Sequence, residues 1–494
     1  MRILKKGRNF FNNKIMKSTI ITVILFLVII AIYIELNIIV DKLKFPETDI
    51  TSSKLYSISD ETMRKINSID KKVTIKLYDF DEYMSKTNIE NSVALIQKYN
   101  DANKNIVIEM DNSTDYRNPT IVVCCDNNEK VVDIDYLYTY NLSTNTYMDI
   151  DYDLTEQELT NAIMEVSSQN KKSIYFCVTH SAYGTKIQEI YATAVSRLST
   201  QLNDVYMINI SNTEKIPDNC DVLIIPRVTE DFTMEEKNKI IDYINRGGNI
   251  IALQEAKSLI DSGETPNYQE ILDLYGVSIS DSIVMEGTPE YMLSGKPDFV
   301  IPQINKQSSI GKNMEKNAKL FMIYAAKINM ADEETLDNLN VSYEVVASTS
   351  DTSFLRNDID NTSYEKIDTD EDAPNSTVAA LITKKVDDDK TSKLLIFSNS
   401  VFISDYNISI KDKITSEVKT RATLSINDNE EIFEHAIKYL SENEDAILLR
   451  KPYSNSIPTV KLIENNGIVK LFFGLPLVVI FVGIIVWRHR KNKK

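Results

Sequence analysis

Three histidines occur in the chain, and one of them stands where chemistry is usually done in folds of alternating strands and helices. His180 lies in the polar turn Thr179-His180-Ser181-Ala182-Tyr183-Gly184, directly after an apolar run that reads as a strand. An imidazole titrates near neutrality and can act as general acid, general base or hydrogen-bonding partner. The hydroxyls of Ser181 and Tyr183, and the carboxylate of Glu255 after a later strand, are the groups able to line a cleft with it. Turns at the C-terminal ends of parallel strands are where open α/β sheets hold ligands. His435 falls on a late helix and His489 in a basic tail, which leaves His180 as the histidine placed for acid/base work. The competing reading is a histidine that merely hydrogen-bonds its own turn.

The residues needed for covalent chemistry do not accompany it. A nucleophile elbow places a thiol or hydroxyl at a sharp strand-to-helix turn, but the strand at 250–253 is followed by Gln254-Glu255-Ala256. Neither a GxSxG elbow nor a GxxxxGK[ST] phosphate loop is present, so no serine hydrolase of that type and no ATPase is indicated. Of Cys124, Cys125, Cys177 and Cys220, three fall inside or at the edge of strands, and the four lack zinc spacing. The vicinal pair points to opposite strand faces, against a mutual bridge. Asp149-Ile150-Asp151-Tyr152-Asp153 gathers carboxylates, but a calcium loop starting there would need Gly and Glu where Leu154 and Thr160 stand. No catalytic residue, metal ligand or cofactor is assigned.

The elements that must position His180 run from 172 to 253. They read as a strand at 173–178, a helix at 187–202, a strand at 205–210, the continuous apolar strand 221–225, a helix after the capping box Thr233/Glu236, and a strand at 250–253. This alternation predicts an α/β sheet with right-handed crossovers. Upstream, residues 54–150 read as strand, helix, strand and then a hairpin led by Pro119, an order that resembles a thioredoxin-like domain. The CxxC of that fold is replaced by Asp79-Phe80-Asp81-Glu82, so no thiol exchange is implied. Beyond 260 the pattern loosens, with strands at 277–284, 320–327 and 343–348 and acidic Ser/Thr/Asn-rich loops at 357–376 and 386–390. A strand at 393–398 and a helix at 430–441 then rejoin the sheet. The expected organisation is a domain at 151–450 with an insertion at about 260–390.

Charge and hydropathy frame these domains. The 494-residue chain carries a formal net charge of −17, with basic residues gathered at 1–17 and 488–494. The acidic body between them disfavours nucleic acid as a partner. Each basic tail abuts an apolar run, at 18–40 and 471–487, and the second ends at Trp487. Both fit membrane anchors under the positive-inside rule. No small-residue cleavage site follows the first run. The expected layout is two-pass in the cell membrane, with both termini cytoplasmic, the body extracytoplasmic and a linker at 451–470.

Several stretches together resemble the auxiliary component of ABC transport systems of the GldG-like, gliding-motility type. They are Lys54-Leu55-Tyr56-Ser57-Ile58-Ser59, Thr155-Glu156-Gln157-Glu158-Leu159-Thr160-Asn161-Ala162-Ile163, residues 221–225 with Arg246-Gly247-Gly248, and the terminal run with its Trp487-Arg488 edge. The resemblance implies a class I glutamine-amidotransferase-like (flavodoxin-like) α/β domain and partnership with an ABC permease and an ATP-binding subunit. It implies a non-catalytic auxiliary role, docking on the permease, with substrate binding and homo-oligomerisation left open. Members often carry Gly-His-Gly-Glu where this chain has Thr179-His180-Ser181-Ala182, and only the histidine is kept. Two other functional classes stand beside this one: an anchored extracytoplasmic hydrolase using His180, and a ligand-sensing module without a transporter.

Overall fold

The computed structural model describes residues 53–453, except 81–89, 112–118, 142–148, 169, 257–258, 260–263, 360, 362 and 412–417. Outside that range it describes only residue 49, Arg488 and helical positions within 21–35. The chain divides into two units, residues 55–457 and the remainder. Most of the apolar runs 18–40 and 471–487 lies outside the described residues. Among the described residues no helix is long and apolar enough to cross a membrane.

The larger unit begins with helix α1 (Asp60–Asn67), strand β1 (Val73–Tyr78), helix α2 (Glu90–Ala102), and strands β2 (Ile106–Asp111), β3 (Thr120–Cys125) and β4 (Asn128–Val132). Ser59 caps α1 by accepting from the Thr62 amide. The sheet order is β2-β1-β3-β4, with β1 parallel to β2 and antiparallel to β3. The hairpin between β3 and β4 turns through Asp126, at φ +54°, and pairs Cys125 with Asn128. Strands β5 (Tyr138–Asn141) and β6 (Asp149–Asp153) form a separate ribbon. Helix α3 (Thr155–Ser168) then places Leu159, Ile163 and Val166 in the same core as Ile75, Leu77, Ile96 and Val123. Although it lies past residue 150, α3 belongs by packing to this first core.

The α/β portion adds β7 (Lys172–Cys177), helix α4 (Ala192–Thr200), β8 (Asn203–Ile208), β9 (Val222–Pro226), helix α5 (Met234–Asn245), β10 (Asn249–Leu253), helix α6 (Pro266–Asp273) and β11 (Val277–Met285). After β12 (Phe299–Val300), β13 (Gln303–Ile304), β14 (Met322–Ile323) and β15 (Ala326–Met330) come helix α7 (Glu333–Leu339) and β16 (Val341–Ser348). Strands β17 (Phe354–Arg356), β18 (Glu371–Asp372), β19 (Thr377–Asp387), β20 (Lys390–Phe397), β21 (Asn407–Lys411) and β22 (Val418–Ala422) precede helix α8 (Asn429–Leu440) and β23 (Lys451–Pro452).

Eight of these strands form the central sheet, in the order β13-β16-β19-β20-β10-β9-β7-β8. Strands β8, β7, β9, β10 and β20 run parallel, a doubly wound order of 2-1-3-4-5 whose switch point lies between β7 and β9. Period-two alternation assigns each strand's side chains to opposite faces. Val222 and Ile224 join Leu198, Phe433 and Ile437 on the α4/α8 side, and Leu223 and Ile225 join Ile240, Ile244 and Ile271 on the α5/α6 side. All four residues of that run are at most 1% exposed. Each such side chain contributes about 1.5–3 kcal/mol relative to exposure.

Several sequence expectations need correction. The helix expected at 187–202 is broken at Tyr191, where the backbone leaves helical geometry and the phenol donates to Ser400 O (2.9 Å). The following strand starts at Asn203, because the Asn203 side chain caps the carbonyls of Leu198 and Gln201. The strand at 320–327 is split by Tyr324, at φ +53°, into β14 and β15. The stretch at 260–390 is not one insertion outside the sheet, since β13, β16 and β19 extend the central sheet antiparallel beyond β20. A second sheet, β15-β11-β17-β18, and the two-stranded pair β12-β14 hold the rest. The acidic loop after β17 is pinned by Arg356, 1% exposed, which pairs with Asp370 at 2.7 Å and donates to the carbonyls of Ser363 and Glu365.

Candidate functional site

The turn after β7 stands at the switch point, as its place in the sequence requires. The four cleft candidates do not form one cluster, because the His180 ring faces away from the group that holds Tyr183 and Glu255. His180 adopts φ +56° and faces the α5 side, its ring edge-on to Phe232 at 5.4 Å. Its Nε2 lies 2.9 Å from Glu236 Oε2, and its Nδ1 lies 3.5 Å from Glu230 Oε2. Glu236 is the acid of the capping box on α5. It accepts from the Thr233 amide (2.7 Å), the Thr233 hydroxyl (2.9 Å) and the Ser211 hydroxyl (2.5 Å). Burial alone would raise the carboxyl, but these donors together with His180 outweigh it and hold Glu236 down to about 2. The His180 carbonyl accepts from the Thr229 amide (2.9 Å), tying the turn to the one after β9. The imidazole is thus bound into a local network that fixes two adjoining turns.

Tyr183 and Glu255 belong to a different group, built around Ser400 after β20. Ser400 shares a 2.7 Å hydrogen bond with the Tyr183 phenol, and its amide donates to Glu255 Oε1 (2.8 Å). Arg227, at φ +38°, stands 3.8 Å from Glu255 Oε2. Burial, followed by the nearby Glu255 charge, raises the Tyr183 phenol above its ordinary value, so it serves as a neutral partner. Ser181 bridges to Val228 through its backbone, and its hydroxyl accepts from the Tyr183 amide at 3.3 Å. Gln254 is spent on the Val228 backbone, with its side-chain oxygen accepting from the amide at 2.9 Å. Burial pushes the Cys177 and Cys220 thiols up to about 12, as expected of inert core cysteines.

A second constellation was not recognised in the sequence. On α3 the side chains of Thr155, Glu156, Gln157, Glu158, Thr160 and Asn161 are all buried, between 0% and 3% exposed. All but Thr155 have a partner from a different part of the chain. Glu156 accepts from the Ser59 amide (2.8 Å) and pairs with Lys451 (2.5 Å), whose ammonium also donates to Ser57 O (2.6 Å). Gln157 accepts from the Leu449 amide (2.8 Å), and Asn161 exchanges two hydrogen bonds with the Ile447 backbone (2.7 and 3.0 Å). The Tyr99 phenol lies 2.7 Å from the Thr160 hydroxyl. Burial raises Glu158 to about 7, against the opposing pull of Arg197 at 3.8 Å. Arg197 in turn pairs with Glu430 (2.6 Å) on α8.

This buried polar helix therefore receives the segment after α8, which ends as β23 paired with β6. It brings residues 59 and 451, nearly 400 positions apart, onto one carboxylate. The sequence signal was a run of polar residues on every side of a helix, which a solvated face does not require. Periodicity read only its apolar stripe.

Residues 171–433 match a family described as an ABC-type uncharacterized transport system. The chain belongs to that family, an auxiliary component of ABC-type transport. The match covers the whole central sheet from β7 to the first half of α8. No curated protein matches the chain. Among solved structures, the mmIFT52 N-terminal domain is 15% identical at a TM-score of 0.37, over 54% of this chain and 97% of that one. A ThuA-like protein from Bacteroides uniformis is 10% identical at 0.31, over 55% and 91%. A cytoplasmic protein from Salmonella typhimurium is 8% identical at 0.29, over 54% and 98%. At these scores none bears on function.

Proposed function

We propose that this family member is a non-catalytic accessory subunit, anchored in the membrane by both ends, whose body docks on an ABC permease outside the cytoplasm. The observation that carries the reading is the clasp of Ser57, Glu156 and Lys451. A body tethered at both ends needs its two roots close together and firmly held, and a buried ion pair on α3 does this. Further support comes from residues 24–29, which are helical and apolar with every side chain well exposed, as a lipid-facing helix would be. The hydrogen-bonding partners of His180 and Gln254 favour a structural part for the turns at the switch point.

Within this reading the domains are thioredoxin-like and amidotransferase-like. The order β2-β1-β3-β4 with one parallel pair supports the first, and the 2-1-3-4-5 order of the parallel strands supports the second. The GldG-like assignment rests on the sequence stretches, of which the one on α3 is now accounted for by its buried partners. Purification of the full chain in mild detergent should bring down a polytopic permease and an ATP-binding subunit. Recovery of the chain alone from repeated preparations would refute the reading.

A further inference from the structure

Three tyrosines from separate segments meet at the surface of the α/β portion. Tyr324, in the break between β14 and β15, is 41% exposed; Tyr364, in the loop after β17, is 57% exposed; and Tyr406, after β20, is 59% exposed. Their neighbours Ile323 and Ile408 share one small apolar core with Phe299, Phe321 and Ile426, which sets Tyr324 and Tyr406 side by side. Asp298 links the third ring. Its carbonyl accepts from the Tyr324 amide (3.0 Å), its carboxylate accepts from the Tyr324 phenol, and it faces the Arg356 guanidinium. Arg356 donates to the carbonyls of Ser363 and Glu365, on either side of Tyr364. Burial and then Asp298 raise the Tyr324 phenol, and the phenols of Tyr364 and Tyr406 are close enough to add to this.

Each ring is exposed on backbone that is held in place. Tyr324 sits at φ +53°, which bulky side chains rarely adopt, and the Tyr406 carbonyl accepts from the Thr423 amide (2.9 Å). Rings presented this way lose little freedom when covered, which is why tyrosine is frequent at binding hot spots. The charge beside them selects what covers them. The loop at 357–372 holds seven acids and one lysine. Arg356 is taken by Asp370 and Lys366 by Asp372, which leaves Asp358, Glu365, Asp368 and Glu371 exposed and, among the described residues, without a counter-ion. Lys296, the other cation facing Asp298, lies over the Phe299 ring at 4.4 Å. The surplus is negative, so it repels anionic lipid and attracts a basic chain. Of the two basic side chains, arginine stacks on aromatic faces and forks onto carboxylates, whereas the lysine ammonium is more strongly hydrated. We infer that the three rings form a docking platform for an arginine-bearing extended segment of a partner protein, with guanidinium planes on the tyrosine faces and the loop carboxylates around them. This locates the docking proposed above and, for the identity of the partner, rests on that reading.

The test uses the full chain in mild detergent and a fluorescein-labelled probe, Gly-Arg-Gly-Arg-Gly-Arg-amide, with citrulline or lysine in place of arginine as controls. Anisotropy should rise with the arginine probe, stay flat with citrulline and rise more weakly with lysine. Tyr364→Ala combined with Tyr406→Ala, both at exposed positions, should weaken the arginine probe about tenfold or more. Tyr364→Phe with Tyr406→Phe keeps the ring faces and should bind as wild type, which guards against misfolding of the first pair. Where a permease co-purifies with the wild-type chain, the alanine pair should recover about a tenth of it or less. Full recovery with the alanine pair overturns the inference and leaves the docking reading standing. A wild-type chain without a permease overturns that reading instead, and the probe then decides the platform alone. Equal binding of the citrulline or lysine probe, equal binding by the alanine pair, no binding at submillimolar chain, or a response to cellohexaose in place of the arginine probe would overturn the inference.

Discussion

Replacing Lys451 by methionine removes one charge from the clasp on α3 while keeping most of the stem's volume. Lys451 and Glu156 are 5% and 1% exposed and lie 2.5 Å apart, so the substitution leaves a carboxylate buried without its counter-ion and Ser57 O without that donor. Breaking a buried pair by removing one partner costs about 3–5 kcal/mol. If the cost falls on local opening of the clasp, protection against hydrogen exchange should fall by roughly 150-fold or more, at about 1.4 kcal/mol per tenfold. The informative amides are Ser59, Ile447 and Leu449, each of which donates to a buried α3 side chain. The double variant Lys451→Met with Glu156→Leu should be less damaging than the sum of the single changes, since two apolar groups replace a desolvated pair. A change in protection under about threefold, or strict additivity of the two substitutions, would refute the reasoning.

Other outcomes follow from the same geometry. Glu158, raised to about 7 from an ordinary 4.5, binds its proton more tightly in the folded state, so stability should decline as pH rises from 4.5 to 7; Glu158→Gln should flatten that decline in thermal melts. Glu236 has the opposite sign: held down to about 2, it stabilises above 4.5 and loses this as pH falls toward 2, and Glu236→Gln should remove that acid limb. His180→Ala should cost about 1–3 kcal/mol through the orphaned Glu236 contact yet leave partner co-purification intact in the folded fraction, whereas a hydrolase would lose its activity. Gly248→Ala should destabilise strongly, because its Cβ would sit 2.4 Å from the Tyr243 ring, and circular dichroism melts would register this.

Local rules worked in the sequence wherever one physical effect dominated. The apolar run of β9 was plain because a strand covered on both faces has no reason to alternate, and the Thr233/Glu236 box announced the start of α5. Boundaries slipped where a side chain overrode propensity, as with Asn203 beginning β8 and Tyr191 interrupting the helix before α4. The antiparallel strand β16 was placed in the insertion and β19 was not read as a strand, because their partners are not signalled locally and their outer ends alternate weakly. For the candidate site, chain position put His180 in the turn at the C-terminal end of a strand, and that turn follows β7. It could not reveal that Glu236 already engages the imidazole from 56 residues away, or that Glu255 faces Ser400 instead. The polar helix α3 was the larger omission, since Glu156, Gln157 and Asn161 read as a solvated surface until their partners at 447–451 are known.

The central claim is that the body, held at one point by both ends of the chain, works as a docking subunit of an ABC transporter. Its most direct test is quantitative co-purification of the full chain from mild detergent, with wild type and Lys451→Met compared. The account predicts a permease and an ATP-binding subunit in fixed ratio to the wild-type chain and a reduced yield of both with the variant. A chain that emerges without either partner, before and after mild cross-linking, would contradict it.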